Sequence, residues 1–216
     1  MKKIALVLSG SGFKDGAEIT EAVSSIIALS EAGAEVHAFA PDVEFESSNH
    51  IDDSSTGSRN VMTEASRITR GSIRPLTELK VGDFEGIVFP GGYGAAKHLC
   101  TFATQGANCE VLLSAKNIIE EFHAASKPIA ALCIAPALVA KVLGQHGVTV
   151  TIGNDKDTAA EIEKTGAQHE DCVVDDYITD RLNKVVTSPA YMYGDAKPHL
   201  IYKGIQGAIK EFYEMA

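Results

Sequence analysis

Blocks of apolar residues alternate with polar segments along the chain and predict strands and helices in turn. Residues 3–8 (KIALVL) form a short β-rich run, and residues 17–32 follow with helical spacing, their larger apolar side chains on one side of the helix. Residues 35–40 and 86–90 predict two further strands. The polar residues 41–58 between them predict an unusually long surface loop, of the kind that serves as a lid or a partner contact.

The second half of the chain continues the alternation. It predicts an amphipathic helix, a strand and a helix, then shorter elements and a closing helix whose apolar stripe is expected in the core. The predicted elements are a helix over 110–125, a strand over 128–132, a helix over 135–143, a strand over 148–152, a helix over 158–164, strands near Val173 and Val185, and a helix over 196–215 with Ile201, Ile205, Ala208, Ile209 and Phe212 on its stripe.

Strands that alternate with helices at this spacing predict an α/β fold with a mainly parallel sheet covered on both faces. Ligands of such sheets collect at the carboxyl ends of the strands. The loops after Leu8, Pro90 and Leu132 should therefore face one crevice.

One residue in the uncharged run over residues 128–140 differs from its neighbours. Cys133 lies where the predicted strand passes into a helix whose first turn accepts Pro136. The N–H groups and positive dipole of a helix N-terminus favour a thiolate, and a sharp turn there exposes the side chain as in nucleophile elbows. A buried structural cysteine is the alternative, at about even odds from the residues alone.

Two other motifs follow the neighbouring strands. The turn GGYG (91–94) offers unobstructed backbone N–H groups, which with the N–H of Ile134 could form an oxyanion hole, although a plain tight turn would have the same sequence. Glu18 and Glu21, in DGAEITE, are expected on one face of a first helical turn, where either could hydrogen-bond the thiol. Acidic residues also occur there simply to complement the helix dipole.

Composition narrows the class of protein. A chain of 216 residues, 45% hydrophobic, can bury a full core, and we expect one domain over residues 1–216. No uncharged run is long enough to span a membrane and no cleavable leader is evident, so we expect a soluble, cytoplasmic protein. The formal net charge of -10 disfavours nucleic acid and anionic lipid, leaving a small neutral substrate or a protein partner.

The four cysteines lack CxxC spacing, which predicts reduced thiols. We assign Cys100, Cys109 and Cys172 to structure, while a bridge between Cys100 and Cys109 stays open from their spacing. No metal site is expected, because His169 and Cys172 alone do not supply four ligands.

A nucleotide site is the weaker alternative for the first loop. Gly10, Gly12 and Gly16, with Asp42 after the second strand, approach a dinucleotide fingerprint. The spacing is one residue too long, and Asp15 would repel a pyrophosphate. No cofactor is therefore expected.

Together these motifs resemble the ThiJ/PfpI superfamily, which has the flavodoxin-like, class I glutamine amidotransferase-like α/β/α sandwich. The segments RNVMTEASRITRG, PGGYGAAKHL, CIAPA, TIGNDKDTA and TSPAYM are similar to its ElbB-type glyoxalase branch, whose members are also called enhancing lycopene biosynthesis proteins or isoprenoid biosynthesis proteins with an amidotransferase-like domain. The resemblance covers nearly the whole chain. It implies a cytoplasmic homodimer with Cys133 as nucleophile, Glu21 as its carboxylate partner, Glu18 nearby, and the N–H groups of Gly92 and Ile134 as oxyanion donors.

The activity implied by this branch is a cofactor-independent glyoxalase or deglycase that acts on small aldehydes. Many superfamily members have histidine directly after the cysteine, where this chain has Ile134, so protease and glutaminase activities are disfavoured. His169 is the best remaining candidate for a histidine partner, although a loop-surface role is the commoner one. A redox-sensing or partner-binding protein of the same fold is the strongest alternative function.

Overall fold

The computed structural model describes residues 1–216 and is built around a seven-stranded sheet with helices on both faces. The strands are β1 Lys3–Val7, β2 Glu35–Ala40, β3 Glu44–Ser48, β4 Ser55–Asn60, β5 Arg74–Pro75, β6 Gly86–Phe89, β7 Ile129–Leu132, β8 Thr149–Val150, β9 Gln168–His169, β10 Ile178–Asp180 and β11 Val185–Ser188. The α-helices are α1 Ile19–Glu31, α2 Val61–Ala65, α3 Phe102–Gln105, α4 Leu113–Ala124, α5 Ala135–Leu143, α6 Lys156–Glu163 and α7 Pro198–Met215.

The sheet order places the loops that carry the candidate chemistry side by side. The strands follow the order β10-β11-β7-β6-β1-β2-β5, and every pair is parallel except the edge pair β10–β11. β1, β6 and β7 are therefore adjacent, as the expected common crevice requires. β11 lies beside β7 with Ser188 opposite Leu132, so the loop after β11 is a fourth loop at the same edge of the sheet.

Each face of the sheet has its own apolar core. α4 and α5 cover one face, and α1 and α7 pack together on the other. The stripe predicted on the closing helix is fully buried on that second face. These observations confirm the mainly parallel α/β sandwich that the alternation of blocks predicts.

The prediction of a long surface loop over 41–58 is wrong, because β3 and β4 form an antiparallel hairpin there. The hairpin lacks apolar alternation and is joined by polar side chains: the Ser47 and Thr56 hydroxyls lie 2.6 Å apart, and the Ser58 hydroxyl donates to Glu44 Oε2 at 3.0 Å. Hydrogen bonding rather than burial fixes its register, so its sequence carries no strand period. The hairpin does not line the main cavity.

Several predicted boundaries also shift. No strand forms at Val173, which is 61% exposed in a turn. α4 begins at Leu113 rather than residue 110, because the backbone of Thr101 pairs with that of Glu110.

α6 begins at Lys156 because the Asp155 side chain accepts a hydrogen bond from the Thr158 N–H at 2.8 Å and caps the helix. The short apolar run over 148–152 has only Thr149–Val150 as a strand, and α7 begins at Pro198 rather than residue 196.

Helix α1 has large apolar side chains on its solvent side. Ile19, Val23 and Ile27 are 50%, 40% and 44% exposed, and the helix turns small residues such as Ala22 and Ser25 toward the protein. The small residues allow close packing against α7. Three larger apolar side chains remain as an exposed stripe, which we call the α1 stripe (Ile19, Val23 and Ile27), whereas Leu29 is fully buried.

We expect Phe212→Ala to lower the free energy of unfolding by about 3–5 kcal/mol, because Phe212 is fully buried and its ring occupies the space beside Gly86. Equilibrium denaturation in urea measures this difference. Lys210→Ala, at an exposed position of the same helix, is the matched control and should change stability by less than about 0.5 kcal/mol. Equal effects of the two substitutions would contradict the assignment of this face to the core.

Candidate active site

Cys133 lies in a strained turn between β7 and α5. Its φ of 58° is in the left-handed region, which a residue with a Cβ adopts at a cost of about 1–3 kcal/mol. The Cys133 N–H donates to the Ser188 carbonyl at 2.9 Å, and Pro136 occupies the start of the helix. The turn thus holds the side chain at the sheet edge, on the wall of a cavity, with 7% of the residue exposed.

Glu21 is the buried partner of the thiol. It lies in the first turn of α1, is 0% exposed, and hydrogen-bonds the Cys133 side chain. Its Oε2 accepts from the Gly91 N–H at 2.8 Å and its Oε1 from the Tyr191 N–H at 3.2 Å. One carboxyl group therefore joins the loops after β6, β7 and β11 to the helix that follows β1.

Burial changes the acidity of both members of this pair. Removal from water, with the nearby Glu18 charge, raises the pKa of Glu21 from 4.5 to about 8. Burial, followed by the Glu21 charge, raises the pKa of Cys133 well above its usual 9, against the opposing effect of the Gly92 and Ile134 N–H groups. Desolvation and a neighbouring acid thus oppose the thiolate that the helix N-terminus favours.

Glu18 lies closer to the cavity than Glu21 does. It precedes the first turn of α1 instead of lying within it, and its Oε2 accepts from the Glu21 N–H at 2.7 Å as the cap of the helix. Its own N–H donates to the Gly91 carbonyl at 3.0 Å. Glu18 lines the cavity, and partial burial raises the pKa of its carboxyl group. The two glutamates are adjacent, but only Glu18 faces the space that a ligand can enter.

The backbone N–H groups of Gly92 and Ile134 both point at the Cys133 sulfur. Gly92 has φ 88°, and a Cβ on Gly91 would overlap the Cβ of Cys133 and lie 2.8 Å from the Glu21 carboxyl oxygen. The glycines of the GGYG turn therefore have a role beyond a plain turn, because they allow the loop after β6 to approach the thiol. Donors in this position can hold an oxyanion formed on the atom that the sulfur attacks.

The cavity at Cys133 has a volume of about 650 Å³. It is bounded by the loops after four strands together with α3 and α6. Its wall residues, most of them apolar, are Phe13, Glu18, Gly92, Tyr93, Ala96, Phe102, Ala103, Cys133, Ile134, Thr158, Tyr191, Met192 and Gly194.

The remaining sequence candidates lie elsewhere. His169 is on β9, where its Nε2 accepts from the Ile152 N–H at 3.2 Å, and it does not line the cavity. All four cysteines are free thiols, and Cys100 and Cys109 adjoin each other in the core without a bridge. At the first loop, the Glu18 carboxylate caps the N-terminus of α1, where a pyrophosphate would need to bind.

Tyr191 is the functional residue that the sequence reasoning missed. Its N–H holds Glu21 and its side chain lines the cavity. The segment PAYM (189–192) follows β11 directly, so the rule that ligands collect at strand carboxyl ends could have identified Tyr191. This use of the rule would have required knowing that β11 lies beside β7 in the sheet.

We expect the free energy of unfolding of the wild type to fall by on the order of 4 kcal/mol from about pH 5 to about pH 8 relative to that of Glu21→Gln. The folded-state pKa of Glu21 is raised to about 8, so the folded protein keeps a proton that the unfolded chain releases near its usual pKa of 4.5. This contribution to stability is complete below the unfolded value and is lost as pH rises toward 8. Urea denaturation at several pH values measures it.

Glu21→Gln should be less stable by a roughly constant amount, since its amide N–H₂ would face one of the two backbone donors. A wild type and variant whose stabilities run parallel with pH would show that Glu21 is ionised in the folded state. Glu64→Gln is a matched control, because that buried glutamate contacts Arg59 and Arg67 outside the cavity.

Comparison with known proteins places this site in a family. Residues 2–194 match the DJ-1/PfpI family. The chain is 43% identical to "ES1 protein homolog, mitochondrial" of Rattus norvegicus, over 99% of this chain and 84% of the relative. It is 44% identical to "Glutamine amidotransferase-like class 1 domain-containing protein 3, mitochondrial" of Homo sapiens, over 99% of this chain and 83% of the relative. A crystal structure of an isoprenoid biosynthesis protein with amidotransferase-like domain from Ehrlichia chaffeensis superposes with a TM-score of 0.92 at 34% identity, covering 100% of this chain and 99% of the other. The resemblance drawn from the motifs is thus confirmed, and the chain belongs to the DJ-1/PfpI family.

Proposed function

We propose that this protein is a cofactor-independent glyoxalase that converts glyoxal to glycolate, with Cys133 as the nucleophile. The observation that carries the proposal is the arrangement around the sulfur. A buried carboxyl group hydrogen-bonds the thiol, two backbone N–H groups point at it, and a second carboxyl group faces the same cavity. These groups suffice for addition to an aldehyde followed by a proton transfer between carbons.

The first step requires the Cys133–Glu21 pair to have lost one proton. In that form Glu21, whose pKa is the lower of the two, is the carboxylate, and it takes the thiol proton as the sulfur attacks a carbonyl carbon to give a hemithioacetal. The carbonyl oxygen becomes an alkoxide that the Gly92 and Ile134 N–H groups stabilise. Because the pKa of Glu21 is raised to about 8, kcat/KM should rise with pH toward this value.

The second step moves a proton from the carbon bonded to sulfur to the adjacent carbonyl. Glu21 is fully buried beside the thiol, whereas Glu18 lines the cavity. We therefore assign the carbon proton to Glu18 and the thiol proton to Glu21. Loss of the carbon proton and protonation of the neighbouring carbonyl oxygen give an enediol. Its second carbon then takes a proton while the hydroxyl group on the sulfur-bonded carbon loses one, which gives a thioester of glycolate. Water cleaves the thioester to glycolate and the free thiol, so the net change is the addition of one water to glyoxal.

Protein deglycase activity would use the same steps on an adduct of the aldehyde, and it belongs to the same proposal. Redox sensing is the alternative of a different class. Peroxide reacts with accessible thiolates of low pKa, whereas Cys133 is buried and its pKa is raised. Amide hydrolysis is disfavoured because no histidine lines the cavity.

Compartment and assembly are further parts of the proposal. No helix of the protein combines the length and the apolar character that crossing a membrane requires. The two mammalian relatives are named as mitochondrial. The free cysteines of this chain support a reducing compartment, and for this chain we propose the cytoplasm.

We also propose a homodimer, which would cover the exposed α1 stripe.

We expect Cys133→Ala to abolish glycolate formation from glyoxal, and Glu18→Gln to lower kcat by about 10²–10⁴-fold because the base for the carbon proton is lost. Enzymatic detection of glycolate measures both. Cys172→Ala removes a thiol outside the cavity and is the matched control, with turnover expected to match the wild type. Equal turnover by wild type and Cys133→Ala would reject the proposal, and sulfinic acid at Cys133 under low peroxide in a protein without turnover would favour sensing.

We expect Val23→Asp to convert the dimer to a monomer, because it places a charge in the middle of the α1 stripe. Sedimentation equilibrium measures the mass. Ala124→Asp, an equal charge on an exposed position of α4, should leave the dimer intact. A wild type that sediments as a monomer would remove the dimer from the proposal without affecting the chemistry.

A further inference from the structure

A second cavity lies between the hairpin of β3 and β4, helix α2 and the loop that follows β1, and we call it the hairpin cavity. Its volume is about 260 Å³, and it shares no wall residue with the cavity at Cys133. Phe45 is the single apolar residue of its wall. This volume is below the roughly 300 Å³ at which pockets for drug-sized ligands begin, so the hairpin cavity suits a smaller and polar molecule.

Asp15 supplies a buried carboxylate to this cavity. Its side chain is only 9% exposed, and its Oδ2 accepts from the Ser48 N–H at 2.7 Å. No group of the protein donates a hydrogen bond to its Oδ1, whose nearest charged or ionisable neighbour is His50 Nε2 at 3.8 Å. A buried carboxylate oxygen without a donor is costly, so a ligand that brings a donor to Oδ1 would gain affinity.

His50 cannot be that donor in this arrangement. Its Nε2 accepts from the Lys14 N–H at 3.2 Å, and its Nδ1 lies 3.1 Å from the Ser48 carbonyl oxygen, which can only accept. The ring proton is therefore on Nδ1, and the nitrogen nearer to Asp15 carries a lone pair. The Lys14 ammonium is also engaged, because it pairs with Asp53 at 2.6 Å.

Two arginines give the same cavity an excess of positive charge. Arg59 and Arg67 both contact Oε2 of Glu64, whose side chain is 9% exposed, and the Arg59 Nη1 lies 3.5 Å from that oxygen. Two guanidinium groups thus share one carboxylate. Each guanidinium has five N–H donors, and those that do not face Glu64 make no hydrogen bond within the protein. They can bind the carboxylate of a ligand, which matches their planar geometry.

The hairpin holds these opposite charges apart. Arg59 lies opposite Phe45 in the register of the two strands, whereas Asp15 contacts Ser48, three residues farther along β3. At about 3.3 Å per residue, the two backbone positions are about 10 Å apart. A phosphate would face the Asp15 carboxylate, a simple amine would leave the arginines unpaired, and an apolar molecule would contact little but polar wall.

We propose that the hairpin cavity binds a free amino acid or a similar small zwitterion. The ligand's ammonium group donates to Asp15 Oδ1, and its carboxylate accepts from Arg59 and Arg67. The formal charges of the two arginines, Asp15 and Glu64 cancel, which matches a ligand with no net charge. The inference does not depend on the proposed enzyme activity, because the two cavities have separate walls.

Calorimetry with three amino acids tests the proposal on the wild type. Glycine, β-alanine and γ-aminobutyrate carry the same two charges at increasing separation, and we expect at least one of them to bind with a Kd below about 1 mM. The matching carboxylate without the amino group and the matching amine without the carboxyl group should each bind at least tenfold more weakly. No binding by any of the three, or equal binding of a single-charge analogue, would overturn the proposal.

Substitutions test the two ends of the cavity with the amino acid that binds best. Asp15→Asn keeps an acceptor for the Ser48 N–H and should weaken that amino acid at least tenfold without weakening its carboxylate analogue. Arg67→Gln should weaken both compounds. Asp83→Asn and Arg70→Gln are the matched controls, because both residues are exposed outside the cavity. Wild-type affinity in Asp15→Asn or in Arg67→Gln would contradict the proposal.

Cys133→Ala tests the location of the bound amino acid. This variant should bind it with wild-type affinity, because Cys133 lines only the other cavity. Loss of binding in Cys133→Ala would place the amino acid beside the thiol and overturn the inference. A wild type that binds the amino acid but forms no glycolate would retain the inference and reject the proposed enzyme activity.

Discussion

The arrangement of the site depends on burying the Glu21 carboxyl group beside the Cys133 thiol. A carboxylate without water is costly unless it is protonated or fully hydrogen-bonded, and Glu21 has both a raised pKa and two backbone donors. Those donors come from Gly91 and Tyr191, in loops far apart in the sequence. The carboxyl group therefore fixes the relative positions of these loops, and the strained turn at Cys133 persists because its surroundings are fixed in this way.

The burial of Glu21 and Cys133 also determines which glutamate handles which proton in the proposed mechanism. A helix N-terminus alone would favour a thiolate, but here the sulfur and the carboxyl group share a desolvated space and cannot both be charged. In the proposed mechanism the reactive form is the pair with one proton removed, whose charge the Gly92 and Ile134 N–H groups can support at the sulfur. Glu18, only partly buried, remains at the cavity for a separate proton transfer. Two glutamates three positions apart thus acquire different proposed roles from their different exposure.

Helix α1 connects this site to the rest of the molecule. Its first turn carries Glu21, its cap is Glu18, and its small residues pack closely on the side facing α7. Ile19, Val23 and Ile27 then remain outside as the α1 stripe. The position of the Glu21 carboxyl group and the proposed dimer surface are in this way two consequences of how one helix is rotated about its axis.

The sequence by itself determined the layers of the fold and the identity of the main chemical groups. Alternating apolar runs gave the parallel sheet and its covered faces, and the residues that follow strands identified Cys133, Glu18, Glu21, Gly92 and Ile134, because strand ends of a parallel sheet meet at one edge. It missed the hairpin of β3 and β4, whose register depends on polar side chains, and it left open which side of α1 is exposed, because apolar spacing does not say which side faces the sheet. Only the tertiary structure decided the raised pKa values, the contact of Tyr191 with Glu21 and the size of the cavity. Those properties depend on desolvation and on distances between residues remote in the chain, neither of which is encoded in local spacing.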